Sequence, residues 1–488
     1  MGFAKRKRRM AQQTDAATPT RARLIFDPAE LHYDFGPGHP LQSQRLVALV
    51  DLLESCGLWH RGDAQTSLPT RAATRAELEL VHTPTYIDAV QQLSASVPLA
   101  RFSPDEQHIR EHLALDYGFA EGDTPPLVGM HETTSLIAGG SLVGLSAIMG
   151  LPAGGEFASE AERPLHVFHP GGGLHHAWPA RASGFCVYND AAISIAHVLR
   201  TSEAKVLYLD FDAHHGDGVQ KAFYDEPRVM TISLHETGRY LFPGTGEVLE
   251  MGQGLGRGYS VNLPLQAFTE DDSYIEVMEA VIPPLAVSFA PDVLVTVHGC
   301  DTHAWDPLTH LSLSMRGIQA QIKLAKQLAQ TYCRGRWLAL GGGGYDLYRV
   351  VPRAWGMVWA EMSGQILPET LPDAWVERWR PAWLKIREQE AEEQQAMGMQ
   401  VSSSDFPLTF ADRREDFEPQ PRRWEISRAN RQSAGLARHL LLSSSIRQAF
   451  RTPRRVSPTT GLIDMLHVRG GDTPSRSKLL ETTRATLL

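Results

Sequence analysis

The chain has 488 residues, 42% of them hydrophobic, a formal net charge of −9 and four cysteines. That is enough apolar material for one large α/β core plus an extension, and the acidic balance argues against general nucleic-acid binding. Four cysteines without paired spacing exclude a disulfide scaffold and a zinc finger, and suit a reducing, cytoplasmic setting. Residues 1–21, opening MGFAKRKRRMAQQ, are basic but lack the apolar segment of a secretory signal, and read as a disordered arm. Residues 22–385 alternate β-rich apolar runs with amphipathic stretches such as SYIEVMEAVIPPLAVSFA and LSMRGIQAQIKLAKQLAQTY. This alternation predicts a single three-layer α/β domain, a mostly parallel central sheet flanked by helices. No run approaches 18 consecutive apolar residues, so no membrane span is expected. Residues 386–488 read as an extension, partly helical around NRQSAGLARHLLLSSSIRQAF and then disordered.

Chemistry concentrates at the ends of the apolar runs. In AKVLYLDFDAHHGDGV a buried strand runs into Asp210, Asp212, His214 and Asp217. Extended backbone has a side-chain period of two, so Asp212 and His214 point the same way, two-thirds of a three-ligand catalytic metal site. VLVTVHGCDTHAWDPL places Asp301 just past another strand as a natural third ligand. PLHVFHPGGGLHHAWPARASGFCVYND offers the pair His175-His176 behind a glycine turn, RWLALGGGGYDLY ends in four glycines and Tyr345, and RVMTISLHETGRYLFPGTGEV adds a fifth segment. Ligands of open α/β sheets sit beyond the carboxyl ends of the strands, so the five segments predict one shared site. GQGLGRG (252–258) lacks the third glycine of a dinucleotide fingerprint, and no P-loop lysine follows Gly344. Cys186 and Cys300 read as small buried thiols. Of the remaining histidines only His303 and His310 lie close enough to watch.

The ordered set YDFGPGHPLQSQRL (33–46), GDTPPLVGMHE (122–132), GLHHAWPARASGFCVYND (173–190), DFDAHHGDGVQKAF (210–223), FPGTGE (242–247), GCDTHAWDPL (299–308) and GGGGYDLYRV (341–350) resembles the zinc-dependent histone deacetylase superfamily. Its fold is the arginase/deacetylase fold, and the nearest branch is that of the bacterial acetoin utilization proteins. The resemblance implies Asp212, His214 and Asp301 as ligands of Zn²⁺, with Fe²⁺ also compatible with such donors. It implies His176 as general base and then acid, His175 as an electrostatic partner, Asp210 and Asp217 as their orienting carboxylates, and Tyr345 as oxyanion donor. Phe185 and Phe242 would wall a narrow channel for a lysine stem, Gly184 would contact the amide, and Asp123 would hold substrate backbone amides at the rim. A structural monovalent cation, usually K⁺, would fall on Asp210, Asp212, His214, Ser233 and Leu234, and a looser second one on Phe223, Glu226, Val229 and Tyr259.

The related two-manganese ureohydrolases need extra carboxylates where this chain has Gly216 and Gly299, so a single metal is expected. An acid at 217 matches lysine deacetylases, whereas acetylpolyamine amidohydrolases usually carry Asn there. Trp178 and Trp305 are bulkier than the family pattern near the mouth and bear on substrate breadth. The expected reaction is removal of acetyl from N6-acetyl-lysine in an acetylated protein, an acyl-CoA synthetase being the candidate partner. The alternatives are hydrolysis of acetylpolyamines or other small acetylamines, and a non-catalytic acetyl-lysine binding module.

Overall fold

The computed structural model describes residues 21–95, 103–120, 122–396 and 405–441. The expected basic arm, Arg21 apart, and the chain beyond 441 lie outside these residues. Seven strands, β1 (Ala22–Leu24), β2 (His166–His169), β3 (Val206–Asp210), β4 (Val229–Glu236), β5 (Ser260–Leu265), β6 (Val293–Val297) and β7 (Trp337–Leu340), form one sheet in the order β1-β2-β7-β6-β3-β4-β5. Every pairing is parallel. The strands are short apolar runs, buried along their full length in β3, β4, β5, β6 and β7. A parallel sheet needs helices on both faces, and alternate strand residues divide accordingly. Val206 and Tyr208 pack into a cluster with the helices Met130–Met149 and Asp190–Thr201. Leu207 and Leu209 pack into the larger cluster with the helices Gln44–Ser55, Asp271–Phe289, Met315–Tyr332 and Val351–Ser363. The three-layer expectation is met, with a sheet that is wholly parallel.

Two features of the helices bear on these expectations. The helix Met130–Met149 is long and apolar enough to cross a bilayer by length and composition, although it holds no run of 18 consecutive apolar residues. It is instead a core helix, 83% buried over its apolar window, and Gly139 and Gly140 let Arg71 and His169 approach its backbone. The second feature is a helix running from Asp373 to Ala396, which contains residue 385. Residues 405–441 then pack on the core. Phe406 lies against Trp375 and Trp383, and the helix Arg423–Leu441 buries Ala434, Ala437 and Leu441. Asn430, fully buried, accepts from the Gln266 amide and donates to Thr269 and Ser273.

Asp412 is the polar centre of this contact. One oxygen accepts from Arg353 at 2.7 Å, and the other accepts from the Met315 amide at 2.7 Å and faces His303 Nε2 at 3.0 Å. Arg353 and His303 are both 0% exposed. Removing one partner of a buried pair leaves an uncompensated charge, a loss of about 3–5 kcal/mol. Asp412→Ala should therefore destabilise the protein by that amount in chemical denaturation. A loss below about 1 kcal/mol would mean that the apolar contacts alone hold the segment.

Candidate functional site

The carboxyl ends of β2, β3, β4, β6 and β7 converge at one edge of the sheet, and the five expected segments meet there. Asp212 and His214 follow β3 and Asp301 follows β6. Their donor atoms, one imidazole nitrogen and two carboxylate oxygens, all lie within 4.8 Å of one another. His214 Nδ1 stands 2.9 Å from Asp301 Oδ2 and 3.1 Å from Asp212 Oδ1. Backbone amides hold the remaining oxygens, Ala213 on Asp301 and Gly343 on Asp212. A Cβ on Gly343 would come within 2.3 Å of Asp301 and 2.8 Å of Asp212, so only glycine permits this cradle. Burial, reinforced by Asp212, pushes Asp301 up to about 6. One nitrogen and two oxygens, the oxygens from acids to which no lysine or arginine among the described residues is hydrogen-bonded, fit a divalent ion of the Zn²⁺ or Fe²⁺ type.

The histidine pair sits beside this triad. His175 Nδ1 faces Asp210 Oδ2 at 2.8 Å, and that oxygen also accepts from the Tyr208 hydroxyl. His176 Nδ1 faces Asp217 Oδ1 at 2.7 Å, while the other oxygen of Asp217 accepts from Trp178 Nε1 at 2.7 Å. The ring centroids are 4.0 Å apart. Burial acts to lower His175, but the charges of Asp210 and Asp212 outweigh it and push the ring up to about 9. Burial and the neighbouring charge of His175 lower His176 against the pull of Asp217. One imidazole is thus set up to be cationic and its neighbour neutral.

Tyr345 follows β7 and its glycines. Burial raises its hydroxyl well above the usual phenol range, helped by Asp301 and Asp212, so it keeps its proton. The ring packs edge-on to Phe185 at 5.9 Å, and its amide donates to Asp306. Phe242 packs on His176 at 5.1 Å and is 44% exposed, at the outer end. Gly184 (φ 54°) lies between them: a Cβ there would strike His176 at 2.5 Å and Phe242 at 2.8 Å. Phe185 has φ 65°, a left-handed conformation that costs a bulky residue energy. It is held by Thr124, which receives its amide, and by Tyr33, which donates to its carbonyl. Asp123 spends one oxygen on the Gly184 amide at 3.2 Å, so it braces the Gly184–Phe185 backbone.

The β3–β4 register sets Asp210 opposite Ser233, with Leu234 next along β4. Phe223, Glu226 and Val229 share one turn with Tyr259 nearby, but the Glu226 carboxylate is committed to Arg228. Trp178 and Trp305 do not act as the expected bulk at the mouth. Trp178 orients Asp217, and Trp305 stacks on Phe417 with Arg349 over its ring. His303 and His310 are tied to Asp412 and Glu236. Cys186 and Cys300 are buried free thiols, as expected. Sequence reasoning missed Tyr208, Asp306 and Arg45, and named Trp178 without its bond to Asp217. Arg45 is buried and donates to the Gly342 and Gly344 carbonyls beneath Tyr345; a lone arginine at the head of the apolar run RLVALVDLL (45–53) was its signal.

This geometry has close counterparts. The histone deacetylase domain model matches residues 39–362, two-thirds of the chain. The chain belongs to the histone deacetylase family. It is 40% identical over 424 residues to the acetoin utilization protein AcuC of Bacillus subtilis (strain 168), covering 87% of this chain and 98% of that one. It is 36% identical to AcuC of Staphylococcus xylosus, covering 83% and 94%. It falls within that AcuC branch and is a deacetylase, a hydrolase. A crystal structure of an HDAC homolog complexed with SAHA superposes with a TM-score of 0.67 at 27% identity, covering 85% of this chain and 99% of that one. An HDAC homolog from Aquifex aeolicus gives 0.65 at 26%, covering 84% and 99%.

The triad yields a direct expectation. The purified deacetylase should retain about one tightly held divalent ion per chain, with one nitrogen and two oxygen donors completing a site only when all three are present. Asp212→Ala and Asp301→Ala should each lose both the ion and activity, read by elemental analysis and acetate release. Two tightly held ions per chain would overturn the single-metal reading.

Proposed function

We propose that this deacetylase hydrolyses N6-acetyl-lysine in an acetylated protein, with Zn²⁺ on Asp212, His214 and Asp301. The observation that carries the reading is the pair of adjacent imidazoles, each on its own buried carboxylate, beside a single three-donor site. A divalent ion on the triad supplies Lewis acidity to water and to the scissile carbonyl. His176, neutral and oriented by Asp217 and Trp178, accepts the proton of the attacking water and returns it to the departing lysine amine. His175 stays protonated and stabilises developing negative charge. Tyr345 donates its hydroxyl to the oxyanion. Gly184, Phe185 and Phe242 accept the lysine stem, and the outer oxygen of Asp123 receives backbone amides of the substrate.

K⁺ is proposed at the ends of β3 and β4, on Asp210, Asp212, His214, Ser233 and Leu234. A second ion on Phe223, Glu226, Val229 and Tyr259 would bind through carbonyls, since Glu226 has spent its carboxylate. The relatives' name, acetoin utilization protein, supports a role in acetoin metabolism; a cytoplasmic location and an acyl-CoA synthetase as the acetylated partner are proposed with it. The domain is proposed as residues 22–385, with the described residues 405–441 packed on it.

Tyr345→Phe should lower kcat by about 10²–10³, the loss typical of one oxyanion donor, with the metal content unchanged. Near-normal turnover of an unactivated acetamide by that variant would remove Tyr345 from the mechanism. The substrate class has its own test. A charge-assisted hydrogen bond is worth roughly 1.5–3 kcal/mol, so Asp123→Asn should cut turnover of an acetyl-lysine peptide about ten-fold or more. Acetylspermidine should be the poorer substrate of the unaltered protein. A higher kcat/KM for acetylspermidine than for the peptide would reassign the enzyme to small acetylamines.

A further inference from the structure

Behind the histidine pair runs a second polar chain that the reaction as described does not use. Glu30, His169, Ser141 and Asp190 are each 0–1% exposed and come from four separate elements. His169 Nε2 lies 3.2 Å from Glu30 Oε1, and His169 Nδ1 lies 2.9 Å from Ser141 Oγ. Ser141 Oγ lies 2.5 Å from Asp190 Oδ2. Asp190 in turn accepts from the amides of Gly173 at 3.1 and 3.0 Å and Leu174 at 2.7 Å, the two residues that lead into His175. Glycine makes room for the whole row. A Cβ on Gly171 would strike Glu30, one on Gly172 would strike Asp190 and Ser141, and one on Gly140 would strike His169.

Counting protons gives an imbalance. The chain has three contacts between its four side chains, and each needs one hydrogen. With both carboxylates ionised and the imidazole neutral, the ring supplies one hydrogen and the serine hydroxyl another. One contact is then left as two facing lone pairs in a site closed to water, which is costly. No lysine or arginine is hydrogen-bonded to any of the four among the described residues, and Glu30 Oε2 has no partner. A third proton completes every contact, whether it rides on Glu30, on His169 or on Asp190. We infer that the Glu30–His169–Ser141–Asp190 chain traps one proton beyond its ordinary complement, and that through Asp190 it positions the Gly173–Leu174 turn that aims His175 and His176. The positioning half rests on the proposed role of His176; the proton count does not.

The two halves have separate tests. If folding takes up one proton, the folded state binds one more than the unfolded state, and stability falls as pH rises. Glu30→Gln supplies an amide N–H to a neutral His169 and needs no extra proton. Ser141→Ala removes two contacts and one donor, and needs none either. Between pH 7.5 and 9, roughly a unit or more above the ordinary histidine value of about 6.5, the wild-type folding equilibrium constant should fall about tenfold per pH unit relative to each variant. Either variant alone suffices if the other fails to fold, and curves that run parallel overturn the trapped proton. For positioning, Ser141→Ala should lower kcat on an acetyl-lysine peptide about ten-fold or more, with KM and metal content unchanged. His176→Ala run beside it separates the failures. Full turnover in His176→Ala would sink the proposed role of the pair, whereas an inactive His176→Ala with an unaffected Ser141→Ala would sink only the positioning.

Discussion

Burying acids away from water forces each of them to find donors, and that demand shapes the catalytic edge of the sheet. Asp210, Asp212 and Asp301 are 0% exposed and Asp217 is 5% exposed. An uncompensated buried carboxylate costs far more than one hydrogen bond returns, so every one of them is tied to a neighbouring loop. Asp301 takes the Ala213 amide, which fastens the β6 loop to the β3 loop. Asp212 takes the Gly343 amide, which fastens β3 to β7, and Asp210 takes His175, which fastens β3 to β2. The bonds that make the acids tolerable are the bonds that fix the ligand and base positions. Site geometry and local stability are one network.

That network also divides the labour between two chemically identical side chains. His175 sees Asp210 and, at 3.9 Å, Asp212, whereas His176 sees Asp217 and the charge of His175 itself. Two acids near one ring and one near the other split the pair, because a first imidazolium makes a second one 4.0 Å away costly. Trp178 then matters by spending the second oxygen of Asp217 on an indole N–H, which leaves that acid pointing one oxygen at His176. Beneath Tyr345, Arg45 turns two glycine carbonyls of the β7 loop towards itself. Asp306 holds the Tyr345 amide from the other side.

Much of this was legible in the sequence, for a physical reason. Strand period two, the apolar runs and the clustering of Asp, His and Gly at strand ends are local signals, so the sheet, the triad and the histidine pair could be read from short windows. What stayed hidden depends on contacts between distant segments. Trp178 and Trp305 both look like bulk near a mouth, yet one finds Asp217 and the other finds Phe417, and nothing in either window fixes which way an indole turns. His169 sits one residue before the quoted glycine turn, but its partner Glu30 lies 139 residues upstream. The apolar helix Met130–Met149 shows the same limit. Its composition suits a bilayer, and only the strands and helix packed around it show where its apolar surface goes.

The extension closes the argument about loops. The stretch from Asp301 to Leu313 carries a metal-ligand candidate but has no helix or long strand of its own, so its backbone must be held from outside. Asp306 caps it from within through the Leu308 amide, and Glu236 at the end of β4 takes both the amide and the ring of His310. The third support comes from beyond residue 400, where Asp412 reaches His303 and the Met315 amide while neutralising Arg353. Phe417 covers Trp305 on the same side. A segment that read as a peripheral appendage is therefore part of the scaffold that aims Asp301, because an irregular loop bearing a buried acid can be rigid only if its neighbours supply the hydrogen bonds it cannot make itself.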